Sequence, residues 1–395
     1  MKKPRASYKH IVAILFCGFA FLCGLMTVVI YRVELFDGLY RGYIKSPEDS
    51  NIFEKISNGL NRFGDKMNEY FVFHDMSINA YGAVQKGMDK HLIDDADPKR
   101  NVVKLNNDYL TFRETESTDY TELRDYVFEI KERCDAVGAD FLYVKRLEKS
   151  TKDIDCLPDF YPYRFTSNFP QIKNDMVQGG INVLDLYDAV EAESLEKYSL
   201  FYRTDHHWKT ETGLWAANLI ADKLNEDYQM GIDKAKLDIS DYIIEEYDQC
   251  FLGSQGIRTG EWFTERDDFH VIYPGYKTNM ILKVRNKEKE ITGDFSQTIF
   301  GNYSYDDGYD MYLTGKNDLL SLTNLEPNNG KYAVCVSDSF GNTVIPFLAQ
   351  TFERIDNIDL RYFENDLGAY IEENKPDVVI YMLNWTNSVL NEEAY

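Results

Sequence analysis

A serine lies in the turn between a predicted strand and a predicted helix. The apolar run at 331–337 predicts a buried strand and residues 342–353 predict a helix, which leaves Ser339 near the junction. A helix start offers unpaired backbone N–H groups and partial positive charge, which suit the oxyanion formed in acyl transfer. Ser339 is therefore a candidate nucleophile, with the backbone N–H groups of Phe340 and Gly341 as candidate oxyanion donors. The alternative interpretation is an ordinary capped helix start.

A serine nucleophile needs a base, and the chain has six histidines. His206 and His207 stand together in the segment YRTDHHW, directly before a helix predicted at 210–226. Asp205 lies two residues before His207, where a carboxylate can orient an imidazole that takes the serine proton. The alternatives are that the histidine pair caps the helix or binds a metal. Because no further His or Cys cluster at ligand spacing completes a zinc site, we predict no metal.

Five short motifs in the sequence include or accompany these candidate residues. They are TDHHW at 204–208, FLGSQG at 251–256, DDF at 267–269, DSFGN at 338–342 and DLRYF at 359–363. Together they resemble the DHHW protein family, which is similar to the SGNH-like proteins that O-acetylate alginate and other exopolysaccharides. The alginate-type motif Asp-x-His-Trp carries over onto Asp205, His207 and Trp208 and leaves His206 in the variable position. The chain order of acid, base and serine also matches that group.

The resemblance implies a Ser339, His207 and Asp205 triad on an SGNH hydrolase-like fold. In SGNH enzymes an Asn side chain helps to complete the oxyanion hole, and Asn384 follows the last predicted strand. Capping of the next turn is the alternative role for Asn384. The chain departs from the ordinary Gly-Asp-Ser motif because Ser337 replaces the glycine, which removes backbone freedom beside the proposed oxyanion hole.

Two further residues are candidates for substrate binding. Arg361 follows a predicted strand, and its guanidinium suits a substrate oxygen or carboxylate; the alternative is a structural salt bridge. Ser254, together with Gly253, offers a backbone N–H to the site, and the alternative is a simple loop.

Helical and strand patterns alternate along most of the chain. This alternation predicts an α/β fold, with a parallel sheet flanked by helices and a β-rich insertion at 250–316. Thr210 is the predicted N-cap of its helix. Besides those given above, we predict helices at 50–70, 78–91, 119–137, 168–178 and 366–374, strands at 140–146, 181–186, 354–360 and 377–383, and a strand or hairpin at 101–112.

The N-terminal region predicts an uncleaved membrane anchor. Residues 11–31 carry no charge over 21 positions, which is long enough to cross a bilayer and too long for a signal peptide. Basic residues precede this span, so the positive-inside rule places residues 1–10 in the cytoplasm and the remainder outside it. We therefore expect a lead-in segment at 32–115 and an extracytoplasmic SGNH-like domain at 116–395. The basic residues are Lys2, Lys3, Arg5 and Lys9.

The overall composition restricts the partners. A formal net charge of -23 argues against nucleic acid, because phosphate binding needs clustered Lys and Arg. No pattern calls for a cofactor. The resemblance implies a glycan acceptor and a multi-span membrane-bound O-acyltransferase that passes the acyl donor across the membrane. A disulfide between Cys134 and Cys156 stays open as an alternative to two free thiols.

Three hypotheses for function follow from the sequence. The first is an O-acyltransferase, with acetyl as the expected group, acting on a cell-envelope or exopolysaccharide glycan. The second keeps the same triad and uses water as the acceptor, which makes an acetyl esterase. The third is a non-catalytic glycan-binding scaffold, which the loss of glycine at Ser337 favours.

Overall fold

The computed structural model describes residues 8–47, 50–95, 97–113, 121–149, 156–158, 169–313 and 317–383. Within the chain, contacts define two compact units, Met1–Met88 and Asp89–Tyr395. The boundary after Met88 divides the predicted lead-in segment between the two units.

The N-terminal unit is helical. Its helices are α1 (Tyr8–Ile30), α2 (Arg32–Ile44), α3 (Ile52–Glu69) and α4 (His74–Gly87). Among the described residues, His10–Ile30 is the one helical stretch long and apolar enough to cross a membrane, with a mean hydropathy of 2.6. Helix α3 begins with a capping box: the Asn51 side chain accepts the backbone N–H of Glu54, and the Glu54 carboxylate accepts the backbone N–H of Asn51. Helix α4 begins earlier than the predicted residue 78.

The second unit contains the remaining helices and strands. They are β1 (Leu92–Ile93), β2 (Val102–Lys104), β3 (Leu110–Phe112), α5 (Thr121–Val137), β4 (Asp140–Lys145), α6 (Phe169–Gln178), β5 (Asn182–Asp185), α7 (Leu186–Ala192), α8 (Thr210–Tyr228), β6 (Tyr242–Phe251), α9 (Ser254–Thr259), β7 (Asp267–Pro274), β8 (Met280–Val284), β9 (Lys289–Gly293), β10 (Leu319–Asn324), β11 (Tyr332–Val336), α10 (Ile345–Leu348), β12 (Arg354–Ile358), α11 (Leu367–Asn374) and β13 (Val378–Tyr381).

An eight-stranded sheet organises this unit, in the order β5-β4-β13-β11-β12-β10-β8-β9. The first five strands of that order are mutually parallel, and β10, β8 and β9 continue the sheet with antiparallel pairs. The parallel strands therefore end at the same edge, where ligands gather in open α/β sheets. The predicted mixed α/β fold is confirmed.

Central strand β11 shows why the sheet is covered on both faces. Its side chains alternate between two cores, as expected for a strand that is buried on both sides. Ala333 and Cys335 face a core that includes α8 and α10, whereas Val334 and Val336 face a second core that includes α5, α6 and α11. These cores fix the direction of β11 and hence the position of the turn that follows it.

Several local expectations need correction. Thr210 is the first residue of α8 and does not cap it, since its hydroxyl lies 3.3 Å from the Tyr202 hydroxyl. In place of the helix predicted at 342–353, the structure has a 3-10 turn at Ser339–Thr343 and then the short helix α10. The two are separated at Val344, and Pro346 lies in the first turn of α10. Cys134 and Cys156 are unpaired thiols in different hydrophobic clusters.

The region 250–316 is more varied than a separate insertion. Strands β6 and β7 form a two-stranded ribbon, but β8 and β9 belong to the edge of the central sheet. The segment after β9 consists of a single π-helical turn at Ser296–Phe300 and a 3-10 segment at Tyr305–Met311.

Candidate active site

The turn after β11 presents Ser339 at the carboxyl edge of the sheet. The Asp338 carboxylate accepts the Phe340 N–H at 3.0 Å, and the Asp338 carbonyl accepts the Gly341 N–H at 2.9 Å. These two bonds close the turn Ser339–Thr343 and hold the half-buried Ser339 at its first position. A short turn closed by two hydrogen bonds restricts the directions in which the serine hydroxyl can point.

Ser337 is accommodated without a left-handed backbone conformation. It is absent from the described non-glycine residues with positive φ, and its hydroxyl bonds to the Asn357 side chain at 2.7 Å. Gly341 supplies the space, because a Cβ there would lie 2.1 Å from the Ser337 Oγ. The replacement of the usual glycine at 337 is therefore matched by a glycine four residues later.

Three side chains form a continuous hydrogen-bonded row at this turn. His207 Nε2 lies 2.7 Å from Ser339 Oγ, and His207 Nδ1 lies 2.6 Å from Asp205 Oδ1. The Asp205 carboxylate also accepts the His207 backbone N–H at 2.9 Å. The structure thus brings together the three residues predicted as a triad, in the order serine, imidazole, carboxylate.

The loop that carries Asp205 and His207 is fixed from both sides. Asp267 accepts the Arg203 N–H at 2.9 Å, the Thr204 N–H at 2.8 Å and the Thr204 hydroxyl at 2.6 Å. At the other end, Trp208 is fully buried and donates its indole N–H to the Thr343 hydroxyl at 2.9 Å. The bond from Trp208 links the histidine loop directly to the serine turn.

The start of α9 and the residue before it hold Asp205, the acid of the row. The Ser254 N–H donates to Asp205 Oδ2 at 2.6 Å, and the Gly253 N–H donates to the Thr204 hydroxyl at 2.9 Å. A Cβ at Gly253 would lie 2.2 Å from the Asp205 Cβ, so this approach requires glycine. Ser254 therefore contacts the carboxylate of the row through its backbone.

The environment of Asp205 favours its ionised form. Burial by itself raises the pKa of this carboxyl, but the facing imidazoles of His207 and His206 and the hydrogen bonds from His207 and the Ser254 N–H hold it well below its usual range. Buried Lys149 reinforces the loop by donating to the carbonyls of Leu110 and Asp205. Asp205 thus stays charged and fixed beside His207.

Two aromatic rings pack against the imidazole of His207. Tyr309 is stacked on it, with ring centroids 4.1 Å apart and planes 7° apart, and Phe340 lies at 5.0 Å. The Tyr309 hydroxyl lies 3.0 Å from the Thr343 hydroxyl. Sequence reasoning missed Tyr309, which lies in an irregular segment far from both motifs.

A buried arginine directly after β4 supports the serine turn. Arg146 lies 3.3 Å from Asp338 through its Nη2, and its guanidinium lies 3.9 Å above the Phe340 ring. Burial raises the pKa of Asp338, but Arg146 and Arg361 lower it overall. Arg146 and Lys149 were also missed; the signal was the group of basic residues in KRLEK directly after a buried strand.

The other predicted residues have mixed outcomes. The Phe340 and Gly341 N–H groups close the turn on Asp338, in place of the predicted oxyanion contact. Arg361 forms a salt bridge with Asp359 at 2.7 Å, which was the structural alternative. The Ser254 N–H donates to the Asp205 carboxylate. Asn384 lies outside the described residues.

The described residues include one group with the composition of a metal site. Asp205, His206 and His207 have donor atoms within 4.8 Å of one another. All three residues already form hydrogen bonds within the protein: His207 bonds to Asp205 and to Ser339, and His206 Nδ1 lies 2.8 Å from Ser254 Oγ. A metal bound there would have to replace the hydrogen bonds of the triad row.

Comparisons with known proteins agree with the fold described above. Residues 106–268 match the family described as an SGNH hydrolase-like domain, acetyltransferase AlgX. The fold is similar to a DHHW family protein from Eubacterium siraeum, with 20% identity, a TM-score of 0.57 and coverage of 77% of this chain and 97% of that one. It is also similar to Bacillus cereus PatB1 with a sulfonyl adduct, with 17% identity, a TM-score of 0.59 and coverage of 74% and 96%. No curated protein matches the sequence. The predicted resemblance is confirmed, and these solved structures establish the fold.

Proposed function

We propose that this chain, with its SGNH hydrolase-like acetyltransferase domain, is an enzyme that transfers an acyl group, acetyl first among them, to a hydroxyl of a cell-envelope glycan. The observation that carries the proposal is the hydrogen-bonded row from Asp205 through His207 to Ser339, at 2.6 and 2.7 Å. Such a row activates a serine for covalent catalysis.

In the first half-reaction the Ser339 Oγ attacks the carbonyl carbon of the acyl donor. His207 Nε2 takes the serine proton, and Asp205 stabilises the resulting imidazolium through Nδ1–H. When the tetrahedral intermediate collapses, the leaving group takes that proton and the acyl group stays on Ser339 as an ester. The stacked Tyr309 ring limits rotation of the imidazole during both transfers.

In the second half-reaction a sugar hydroxyl replaces the leaving group. His207 Nε2 takes its proton, and the sugar oxygen attacks the ester carbon. The bond between the acyl carbon and Ser339 Oγ then breaks, and the serine recovers a proton from His207. No net proton change remains on the enzyme.

The oxyanion of both intermediates needs donors other than Phe340 and Gly341. The Ser339 N–H is the first candidate, since no acceptor for it is found in the described part of the chain. Asn384 remains the predicted side-chain donor. Donors of this kind contribute about 2.7–4 kcal/mol each to transition-state stabilisation.

We further propose that α1 anchors the enzyme with its catalytic unit on the extracytoplasmic side. The apolar stretch His10–Ile30 and the basic residues before it support this orientation. A multi-span membrane-bound O-acyltransferase is the proposed donor partner, because an enzyme outside the cytoplasm needs its acyl group passed across the membrane.

Hydrolysis is the second candidate function, since the same row serves a water acceptor. The scaffold hypothesis rested on Ser337, and the accommodation of Ser337 by Gly341 and Asn357 removes that reason.

The test of the proposed triad is the pre-steady-state burst of p-nitrophenol from p-nitrophenyl acetate, using the full chain in detergent. Ser339→Ala, His207→Gln and Asp205→Asn are each expected to slow it by about 10³- to 10⁴-fold. A burst that survives in Ser339→Ala would refute the proposal, and Ser199→Ala, at an exposed serine whose hydroxyl donates to the Glu196 carbonyl, is the control.

A further inference from the structure

His206 lies beside the proposed triad without taking part in its proton transfers. Its ring centroid is 3.7 Å from that of His207, with the planes 38° apart. Its Nδ1 lies 2.8 Å from the Ser254 hydroxyl, and 38% of its side chain is exposed. Within the described residues, its Nε2 has no hydrogen-bond partner. One nitrogen of a fixed imidazole is therefore available next to the nucleophile.

The His206 imidazole is held in the neutral form. Partial burial lowers its pKa, the adjacent His207 lowers it further, and the Asp205 carboxylate offsets only part of this. A neutral imidazole has one donor nitrogen and one acceptor nitrogen. A hydroxyl group both donates and accepts, so it can bond to Nε2 in either tautomer, whereas an anion or a cation suits only one.

An aromatic wall continues from His206. The Phe112 ring is half-buried and its centroid lies 5.8 Å from that of His206. The Arg258 guanidinium lies 5.7 Å from the Phe112 ring and donates to the Ser254 carbonyl at 2.9 Å. An apolar ring next to a few fixed polar groups is the usual construction of a site for a small polar ligand with an apolar face. A sugar ring has such a face together with hydroxyls at its rim.

We infer that His206 binds the acceptor of the proposed transferase, by a hydrogen bond from Nε2 to a hydroxyl of a neutral carbohydrate whose ring packs on Phe112. This inference rests on the proposed function. The bound hydroxyl, or its neighbour on the same sugar, then lies beside His207 Nε2, which takes its proton as the oxygen attacks the acyl ester on Ser339. His206 undergoes no proton change. Its role is to favour a sugar over water as the acceptor.

Ser254 has a supporting role that can be tested separately. Its hydroxyl orients His206, while its backbone N–H holds Asp205. Ser254→Ala removes the first contact and keeps the second, and Ser254→Thr keeps both. The position therefore offers a matched pair of variants that changes the orientation of His206 without removing a group of the triad.

The experiment measures how the acetyl-enzyme divides between sugar and water. The full chain in detergent is given p-nitrophenyl acetate with methyl glucoside or a neutral trisaccharide, and acetyl-sugar and free acetate are quantified together with the p-nitrophenol burst. His206→Phe is expected to lower the ratio of transfer to hydrolysis about 3- to 10-fold, the value of one hydrogen bond. The burst should fall by a smaller factor. His206→Gln and Ser254→Thr should keep most of the wild-type ratio of transfer to hydrolysis, and Ser254→Ala should lower this ratio.

The outcomes separate the two proposals. If the wild type gives no burst, the proposed function fails. A burst without transfer to any neutral sugar would overturn the inference about His206 and leave the triad standing. An unchanged ratio in His206→Phe, or a burst and transfer that fall by the same factor, would also overturn it. His74→Phe, at a half-exposed position in α4 of the N-terminal unit, is the control for an imidazole replaced elsewhere.

Discussion

Gly253→Ala tests whether the position of Asp205 controls the reaction. The alanine Cβ would lie 2.2 Å from the Asp205 Cβ and 2.6 Å from its Cα, and an ordinary contact begins at 3.4 Å. The two segments must therefore separate by about 1.2 Å. A side-chain rotation cannot supply this, because the Asp205 Cα belongs to the backbone.

A separation of this size between residues 253 and 205 should slow acylation of the enzyme. An extra 1.2 Å stretches the 2.6 Å bond from the Ser254 N–H to Asp205 beyond hydrogen-bond distance. Misplacement of a catalytic group by about 1 Å costs roughly 10²-fold in rate, or about 2.7 kcal/mol. We therefore expect the burst of Gly253→Ala with p-nitrophenyl acetate to slow by about 10²-fold while the protein stays folded by near-UV circular dichroism.

The control for this prediction is another glycine with free space. Gly64 in α3 has nothing within 4 Å of its would-be Cβ, so Gly64→Ala should leave the burst unchanged. A burst of Gly253→Ala within about threefold of the wild-type rate would refute the claim that this close approach positions the acid.

Two other predictions concern the support of the site. Thr343→Val leaves the buried Trp208 N–H without its acceptor and removes the contact with the Tyr309 hydroxyl. The free energy of unfolding, measured by thermal or denaturant unfolding, should therefore fall by about 1–3 kcal/mol. An unchanged stability would contradict this prediction. Burial lowers the pKa of Lys149 from 10.5 to about 7, so between these values the unfolded chain holds a proton that the folded chain lacks, and stability gains up to about 1.4 kcal/mol per pH unit as pH rises. Lys149→Met should lose this rise between pH 7 and 10, seen as a smaller shift of the melting temperature, and an identical pH profile would refute the prediction.

The sequence predicted most of the fold because its signals were local. The apolar strand at 332–336 is covered by helices on both faces of the sheet, and it pairs in parallel with β12 and β13, as the predicted parallel sheet requires. The triad row could also be predicted, since Asp205 and His207 are neighbours in the chain and Ser339 follows a parallel strand.

The rest of the site depends on contacts between distant segments. Tyr309 reaches His207 only through the packing of an irregular segment that has no periodicity to read. The Ser254 N–H was predicted to face the site, but whether this amide meets a carboxylate or a substrate depends on its 2.6 Å approach to Asp205, which lies 49 residues away in the chain. Burial of Lys149 beneath the histidine loop likewise depends on where β3 and that loop meet.

The most direct test of the account is to locate the acetyl group on the enzyme. The full chain in detergent is treated with p-nitrophenyl acetate, quenched in acid within the burst, and digested for peptide mass spectrometry. We expect acetyl on Ser339 in the wild type, and none on that peptide in Ser339→Ala or, over the same time, in His207→Gln. Acetyl found only on lysines or on other serines, at equal levels in all three proteins, would contradict it.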